Sequence, residues 1–197
     1  MRLLVATTNL DKLREIRSSL SGAPVELVAL NDLDPIDEPE ETGDTFRANA
    51  RLKAFYYAAR SGVTTVAEDS GLCIDALNGE PGVRSARFLR PDATYPERFA
   101  EIVRRLDARP GQTRAARFVC AVALVEKQSI LFETEGTVEG EVADVPRGTR
   151  GFGYDPIFFY PPFQQTLAEV SDEDKLSVAH RGKAFRALST WLRQRHA

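Results

Sequence analysis

Residues 115–142, AARFVCAVALVEKQSILFETEGTVEGEV, contain two long segments of strand-like composition on either side of the polar connection 126–129. They predict the two strands of an antiparallel hairpin, over residues 115–125 and 130–142. Elsewhere the chain has the helical period, since Leu13, Ile16 and Leu20 are spaced to share one helical face. A chain that mixes such helices with a hairpin is α/β or α+β with a mixed sheet.

The segments on either side of the hairpin fit the same class. Apolar runs predict strands over residues 2–7, 25–30, 64–67 and 157–160, and apolar spacing predicts helices over residues 11–20, 45–60 and 95–106. Residues 171–174 form a capping-box pattern that opens a helical C-terminal region. We find no repeat and no linker, so residues 1–197 are expected to form a single domain.

Composition excludes several classes of function. The 197 residues are 43% hydrophobic and 28% charged, which is typical of a folded globular protein. The net charge of −3 argues against stable nucleic-acid binding. No apolar stretch approaches the ~20 residues of a membrane helix, and the N-terminus does not predict a signal peptide. Cys73 and Cys120 are far apart and predict reduced core thiols, which favours a cytoplasmic location.

The first candidate site follows the first predicted strand. Residues 7–12, TTNLDK, place hydroxyl, amide and ammonium groups at the start of a helix. Helix N-termini carry N–H donors and a positive partial charge, which suit a phosphate. A plain N-cap with a surface lysine is the alternative explanation.

Two acidic segments are candidates for a metal. Residues 32–44 form a loop with seven acidic residues and no basic one, and Asn49 and Lys53 follow on the next helix. Glu68 and Asp69 come where the strand over residues 64–67 is predicted to end, and ligand sites lie beyond such strand ends. Carboxylates of this kind can hold Mg²⁺ and orient an attacking water. A solvated loop and a polar turn are the alternatives.

A base platform is the last candidate. Phe152 lies between two glycines, which lets an aromatic ring be presented flat to a nucleotide base, a contact worth ~1–3 kcal/mol. Lys175, His180 and Arg181 can donate hydrogen bonds to ring carbonyls. The alternative is a tight turn with a core aromatic. Because Lys12, Lys53 and Lys175 are three of only five lysines in the chain, these segments together indicate a nucleoside polyphosphate site.

These motifs resemble a known family, the inosine triphosphate pyrophosphatases, also called dITP/XTP pyrophosphatases. The resemblance runs along essentially the whole chain. It rests on five blocks in the family's order: ATTNLDK at 6–12, EETGDTF at 40–46, AEDSGLCIDALNGEPGVRSARF at 67–88, GFGYDPIF at 151–158, and Lys175 with HRGKA at 180–184. Ala48, Glu68 and Ala179 depart from the residues common in the family, and Ala179 removes a hydroxyl contact near the base.

The resemblance implies the fold and the reaction. The expected fold is α/β, an elongated mixed twisted sheet flanked by helices, with two lobes and the active cleft between them. The expected reaction is Mg²⁺-dependent hydrolysis of the deaminated purine nucleotides ITP, dITP and XTP to the monophosphate and pyrophosphate. A homodimer is also implied. A pyrophosphatase for another modified nucleotide and a non-catalytic nucleotide sensor are the alternatives.

The resemblance and the chemistry together assign the following roles. Glu40, Glu68 and Asp69 would hold Mg²⁺, and Asp69 would take a proton from the attacking water. The triphosphate would contact Thr7, Thr8, Asn9, Leu10, Asp11, Lys12, Lys53 and Ser70. The base would contact Phe152, Gly153, Tyr154, Asp155, Lys175, His180 and Arg181.

Overall fold

The structure is a computed structural model that describes residues 1–195. In that part of the chain seven strands form one sheet, in the order β2-β1-β3-β4-β5-β6-β7. The strands are β1 (Arg2–Val5), β2 (Glu26–Ala29), β3 (Thr65–Ile74), β4 (Ala115–Glu126), β5 (Ser129–Val142), β6 (Phe158–Tyr160) and β7 (Gln165–Thr166). The α-helices are α1 (Leu10–Ser19), α2 (Phe46–Ser61), α3 (Tyr95–Asp107), α4 (Asp172–Val178) and α5 (His180–Arg195).

The sheet is mixed, which confirms the predicted class. Strand β1 pairs in parallel with β2 and with β3, so α1 and α2 serve as the crossover helices that parallel strands require. Strands β5, β6 and β7 pair antiparallel. Lys127 and Gln128 alone separate β4 from β5, as expected for the predicted hairpin.

Most predicted elements are present within a residue or two of their predicted ends. The main error concerns the strand predicted over residues 64–67, because β3 continues to Ile74. The helical C-terminal region is two helices, since Ala179 has an extended backbone that separates α4 from α5. The sequence analysis also missed β7 and the 3₁₀ helix Gly82–Arg87.

The chain divides into two compact units, each with its own core. Among the described residues, unit 1 contains 1–69, 120–136 and 180–195, and its core holds side chains such as Leu3, Ile16, Leu124 and Phe185. In this unit α1 packs against α5. Helix α5 has an apolar face, on which Ala184, Leu188 and Leu192 are buried.

Unit 2 contains residues 70–119 and 137–179. Its core includes Leu72, Ile102, Phe118 and Phe158, with the rings of Phe118 and Phe158 4.6 Å apart. Strands β3, β4 and β5 contribute residues to both units. The expectation of a single domain over residues 1–197 stays a prediction.

Residues 1–195 include no helix that is both long and apolar enough to span a membrane.

Candidate active site

The turn between β1 and α1 has the predicted helix-start geometry. Asn9 is the N-cap, and its side-chain oxygen accepts a hydrogen bond from the Lys12 backbone N–H at 3.0 Å. The Thr7 hydroxyl accepts one from the Asn9 N–H at 3.2 Å, and the Thr8 hydroxyl donates to Glu38 at 2.6 Å. Leu10, in the first turn of α1, is mostly exposed. The turn therefore combines hydroxyl, amide and ammonium groups at one helix N-terminus.

The two central carboxylates lie in the middle of a strand, and the prediction that they follow a strand end is wrong. Glu68 and Asp69 are the fourth and fifth residues of β3, which is ten residues long. The strand continues because its apolar residues Leu72 and Ile74 are buried in the sheet beyond the pair. However, β1 pairs with β3 only as far as Val66. The carboxylates therefore lie just beyond the carboxyl end of β1, the position where α/β sheets bind ligands.

Glu68 is surrounded by cations. Its carboxylate contacts Lys12 Nζ at 2.8 Å and Arg181 Nη2 at 3.3 Å, and it accepts a hydrogen bond from Cys120 Sγ at 3.5 Å. Burial alone would raise the pKa of Glu68, but the charges of Lys12, Arg181 and Lys53 outweigh it and hold that pKa well below its usual range. Glu68 is therefore ionised throughout the neutral pH range.

Arg181 connects this carboxylate to a residue that the sequence analysis missed. Its guanidinium donates to Glu15 at 2.6 Å as well as to Glu68, and only 2% of Arg181 is exposed. Gly136 makes this possible, because a Cβ there would collide with the His180 carbonyl and the Ala184 N–H at the start of α5. Glu15 could have been singled out from the sequence because it follows Lys12 by three residues, a spacing that places both on one face of α1.

Asp69 is held from the other side by α2. Lys53 Nζ lies 3.2 Å from Asp69 Oδ1, and Asn49 Nδ2 donates to Asp69 Oδ2 at 3.1 Å. Burial lowers the pKa of Lys53, but the charges of Asp69, Glu68 and Glu41 outweigh it and raise that pKa overall. For Asp69 burial dominates, so its pKa is raised despite the charge of Lys53. Two adjacent carboxylates thus have pKa values shifted in opposite directions, a pattern that separates a permanent anion from a proton acceptor.

The acidic loop reaches the site through a different residue from the predicted one. Glu41 contacts Lys53 Nζ at 2.5 Å, whereas Glu40 is exposed. Asn49 fixes the loop by accepting a hydrogen bond from the Gly43 N–H at 2.8 Å. Among residues 1–195 no group of three or more His, Cys, Asp or Glu side chains is arranged to hold a metal ion. The oxygen donors present still suit a hard divalent cation that takes its other ligands from water and substrate.

Three residues of the predicted base platform, Phe152, Asp155 and Lys175, form a compact group in unit 2, whereas His180 and Arg181 belong to unit 1. Lys175 Nζ lies 2.6 Å from Asp155 Oδ2 and 4.5 Å from the centroid of the Phe152 ring. Asp155 also accepts a hydrogen bond from the Phe152 N–H at 2.8 Å. Gly151 has a φ of +69°, and a Cβ there would collide with the Asp155 carboxylate, so glycine is required at this turn. Asp155 thus fixes both the loop and the lysine.

The remaining predicted site residues have the following positions. Tyr154 is 3% exposed, and its hydroxyl donates to the Ser85 carbonyl at 2.9 Å, so its side chain anchors the loop. Ser70 is half-buried beside Asp69 in β3, and Gly153 is half-buried in the loop. Asp11 forms an ion pair with Arg14, and His180 is the buried first residue of α5. Contact of these residues with a substrate stays a prediction.

The geometry described so far agrees with comparisons to known proteins. The Ham1 family model matches residues 3–191. A dITP/XTP pyrophosphatase from Nostoc is 47% identical over 188 residues, covering 94% of this chain and 91% of that protein. A dITP/XTP pyrophosphatase from Exiguobacterium sibiricum is 40% identical over 192 residues, covering 98% and 97%. A HAM1 protein from Coxiella burnetii has a similar structure, with a TM-score of 0.92, 38% identity and coverage of 98% and 99%.

The chain therefore belongs to the Ham1 family. The resemblance identified from the five sequence blocks is confirmed, and so is the mixed sheet with flanking helices.

Proposed function

We propose that this chain is an enzyme that hydrolyses ITP, dITP and XTP to the monophosphate and pyrophosphate, and so removes deaminated purine nucleotides from the nucleotide pool. The observation that carries the proposal is the pair Glu68 and Asp69, each in contact with a lysine from a different helix. Positioned charges of this kind supply most of the catalysis in phosphoryl transfer. The names of the two relatives support the substrate class.

The triphosphate would bind at the start of α1 and beside α2. Thr7, Thr8, Asn9 and Lys12 offer donors at the α1 N-terminus, and Lys53 adds a second ammonium group. Thr8 and Lys53 already contact the carboxylates of Glu38 and Glu41. These carboxylates stand in for phosphate oxygens, and we expect the triphosphate to replace them.

The charge of the cluster supports a divalent cation, for which we propose Mg²⁺. Lys12, Lys53 and Arg181 face four carboxylates, those of Glu15, Glu41, Glu68 and Asp69. Because the carboxylates already outnumber these cations by one, a polyphosphate cannot join the set without added positive charge. Glu68, Asp69 and the acidic-loop residue Glu40 would hold the ion, which commonly uses one or two carboxylates plus substrate phosphates. When bound, it would neutralise charge that builds up on the phosphoryl oxygens.

Asp69 would act as the general base. Lys53 and Asn49 each hold one of its two oxygens, which fixes the direction in which the carboxylate can accept a proton from water. Its raised pKa makes it a better proton acceptor than an ordinary aspartate. The neighbouring Glu68 has a lowered pKa and keeps its charge for Lys12 and the cation.

The base would be recognised by stacking and by its O6 edge. Phe152 would stack, with Asp155 positioned nearby, and Lys175, His180 and Arg181 would donate to O6. Adenine has an amino group there, so donors would face a donor, a mismatch that can discriminate by up to ~10⁴-fold. Lys175 has the strongest support, because it already lies against Phe152. Arg181 would have to combine this role with its ion pairs to Glu15 and Glu68.

A homodimer, a cytoplasmic location and the absence of stable nucleic-acid binding are also part of the proposal. They rest on the family resemblance and on the net charge of −3.

The test is pyrophosphate release from ITP, XTP, dITP, GTP, ATP and dUTP, with Mg²⁺ and with EDTA. We expect strong Mg²⁺-dependent release from ITP, dITP and XTP and weak release from ATP and dUTP. Release of orthophosphate, or a preference for ATP or a pyrimidine, would contradict the proposal. Tight nucleotide binding without turnover would instead identify a nucleotide sensor.

A further inference from the structure

Four polar residues in unit 2 link α3 to the loop that carries Phe152. We call Ser85, Tyr95, Arg98 and Tyr154 the α3 cluster. The Ser85 carbonyl accepts hydrogen bonds from the Tyr154 hydroxyl at 2.9 Å and from Arg98 Nη1 at 3.5 Å. The Arg98 guanidinium also lies over the Tyr95 ring, with its Cζ 5.0 Å from the ring centroid. The cluster is therefore a connected network.

Burial of an arginine at position 98 is energetically unfavourable. Only 4% of it is exposed, it donates to the Ser85 carbonyl at 3.5 Å and to the Pro91 carbonyl at 3.4 Å, and its Nε has no hydrogen-bond partner among the described residues. Burying a guanidinium costs free energy unless its donors are satisfied. An apolar side chain would fill this space at lower cost. The arginine is therefore explained by what its donors hold in place, namely the Ser85 carbonyl, to which the Tyr154 hydroxyl also donates.

Tyr154 transmits this constraint to the loop. Its ring packs edge-on against Tyr95, with centroids 5.3 Å apart, and lies 6.0 Å from Phe99. The next residue, Asp155, holds the Phe152 N–H and Lys175. Two adjacent residues thus fix the loop through independent contacts, one set from α3 and the other from α4.

We infer that Arg98 is a positioning residue for base discrimination, which acts through Ser85 and Tyr154 to fix the orientation of Phe152 and Asp155. This inference rests on the proposed function. An enzyme that reads a donor-acceptor pattern needs its stacking ring and its donors held closely in place, and a looser loop accepts a mismatched base more readily. The residues proposed to bind the triphosphate at the start of α1 and on α2 belong to unit 1 and have no part in the cluster.

The test compares kcat/KM for XTP and for ATP in Tyr154→Phe, Arg98→Met and Arg98→Lys. Loss of a hydrogen-bond contribution should lower the XTP-to-ATP ratio about tenfold in Tyr154→Phe and Arg98→Met, mainly through a higher KM for XTP. Arg98→Lys keeps the charge and one donor and should recover part of the ratio. The inhibition constant of inorganic tripolyphosphate should stay within about twofold of wild type, since tripolyphosphate has no base.

Two control variants distinguish a loss of positioning from a general loss of structure. Arg104→Met removes an exposed arginine from the same helix, and Tyr160→Phe removes a hydroxyl from β6. Both should keep the wild-type ratio. A wild-type enzyme that releases no pyrophosphate from XTP would overturn the proposed function itself. An active wild type whose ratio is unchanged in Tyr154→Phe would overturn the inference alone, even if Arg98→Met does not fold.

Discussion

In unit 1 several cations share one cluster of carboxylates, whereas the buried charges of unit 2 are one ion pair and an arginine that donates to backbone carbonyls. In unit 1 three cations contact four carboxylates around Glu68 and Asp69. In unit 2 the close pair is Lys175 with Asp155, and Arg98 donates to the backbone carbonyls of Ser85 and Pro91. A cluster of charges suits the binding of a polyphosphate and a metal ion. Hydrogen-bond donors that are held in fixed directions suit the recognition of a nucleotide base.

The largest expected effect on turnover is in the carboxylate cluster of unit 1. Asp69→Asn keeps the shape but removes the proton acceptor, so kcat should fall about 10³-fold for every nucleotide, while nucleotide binding survives. Steady-state kinetics and calorimetric titration with XTP measure both. The matched control is Asp75→Asn, an exposed carboxylate beyond the end of β3, which should leave kcat unchanged. Near wild-type turnover in Asp69→Asn would remove Asp69 from the mechanism.

The variant Lys175→Met tests the role of the buried ion pair of unit 2 in base recognition. It removes the donor beside Phe152, so the XTP-to-ATP ratio of kcat/KM should fall by about tenfold or more. It also leaves Asp155 buried with its cation removed, which should lower the free energy of unfolding by about 3 kcal/mol.

Adding Asp155→Asn to Lys175→Met should restore part of the stability in urea denaturation but not the ratio. A ratio that recovers together with stability would mean that Lys175 supports the fold and does not read the base.

A smaller effect is expected for substitutions of two glycines in β5, a strand that contributes residues to both units. Gly136 in unit 1 lies against the backbone at the start of α5, and Gly140 in unit 2 lies against Phe158 and the Phe159 carbonyl. An alanine at either position should cost about 1–3 kcal/mol of stability by overpacking. Only Gly136→Ala should also impair turnover, because it displaces the helix that carries Arg181. Glu139→Ala, on an exposed position of the same strand, is the control, and equal activity losses in both glycine variants would contradict this view.

Local pattern was enough to predict most of the fold. The hairpin, the amphipathic helices and the N-caps at Asn9 and Ser171 depend on neighbouring residues, so the sequence analysis found them. The length of β3 depends on pairing with other strands and on the burial of Leu72 and Ile74, so a strand end at Ala67 was wrong.

The candidate site was predicted in its parts but not in its contacts. Lys12, Lys53 and Lys175 were singled out because lysine is scarce, and each of them contacts a buried carboxylate. The partners Glu15 and Cys120 were missed, because Arg181 and Glu15 are 166 residues apart and Cys120 and Glu68 are 52 apart. The spacing of three between Lys12 and Glu15 places both on one face of α1, but no local pattern reports contacts over such separations.

The measurement that tests the central claim most directly is the loss of kcat/KM in Lys53→Met for XTP and for ATP. Lys53 contacts only the carboxylate cluster of unit 1 in the contacts described above, so the account predicts about 10²-fold loss for both nucleotides and an unchanged ratio. Lys127→Met, in the β4–β5 turn, should change neither value. A loss several-fold larger for XTP than for ATP would contradict the assignment of Lys53 to the phosphates and of base recognition to other residues, such as Phe152 and Lys175.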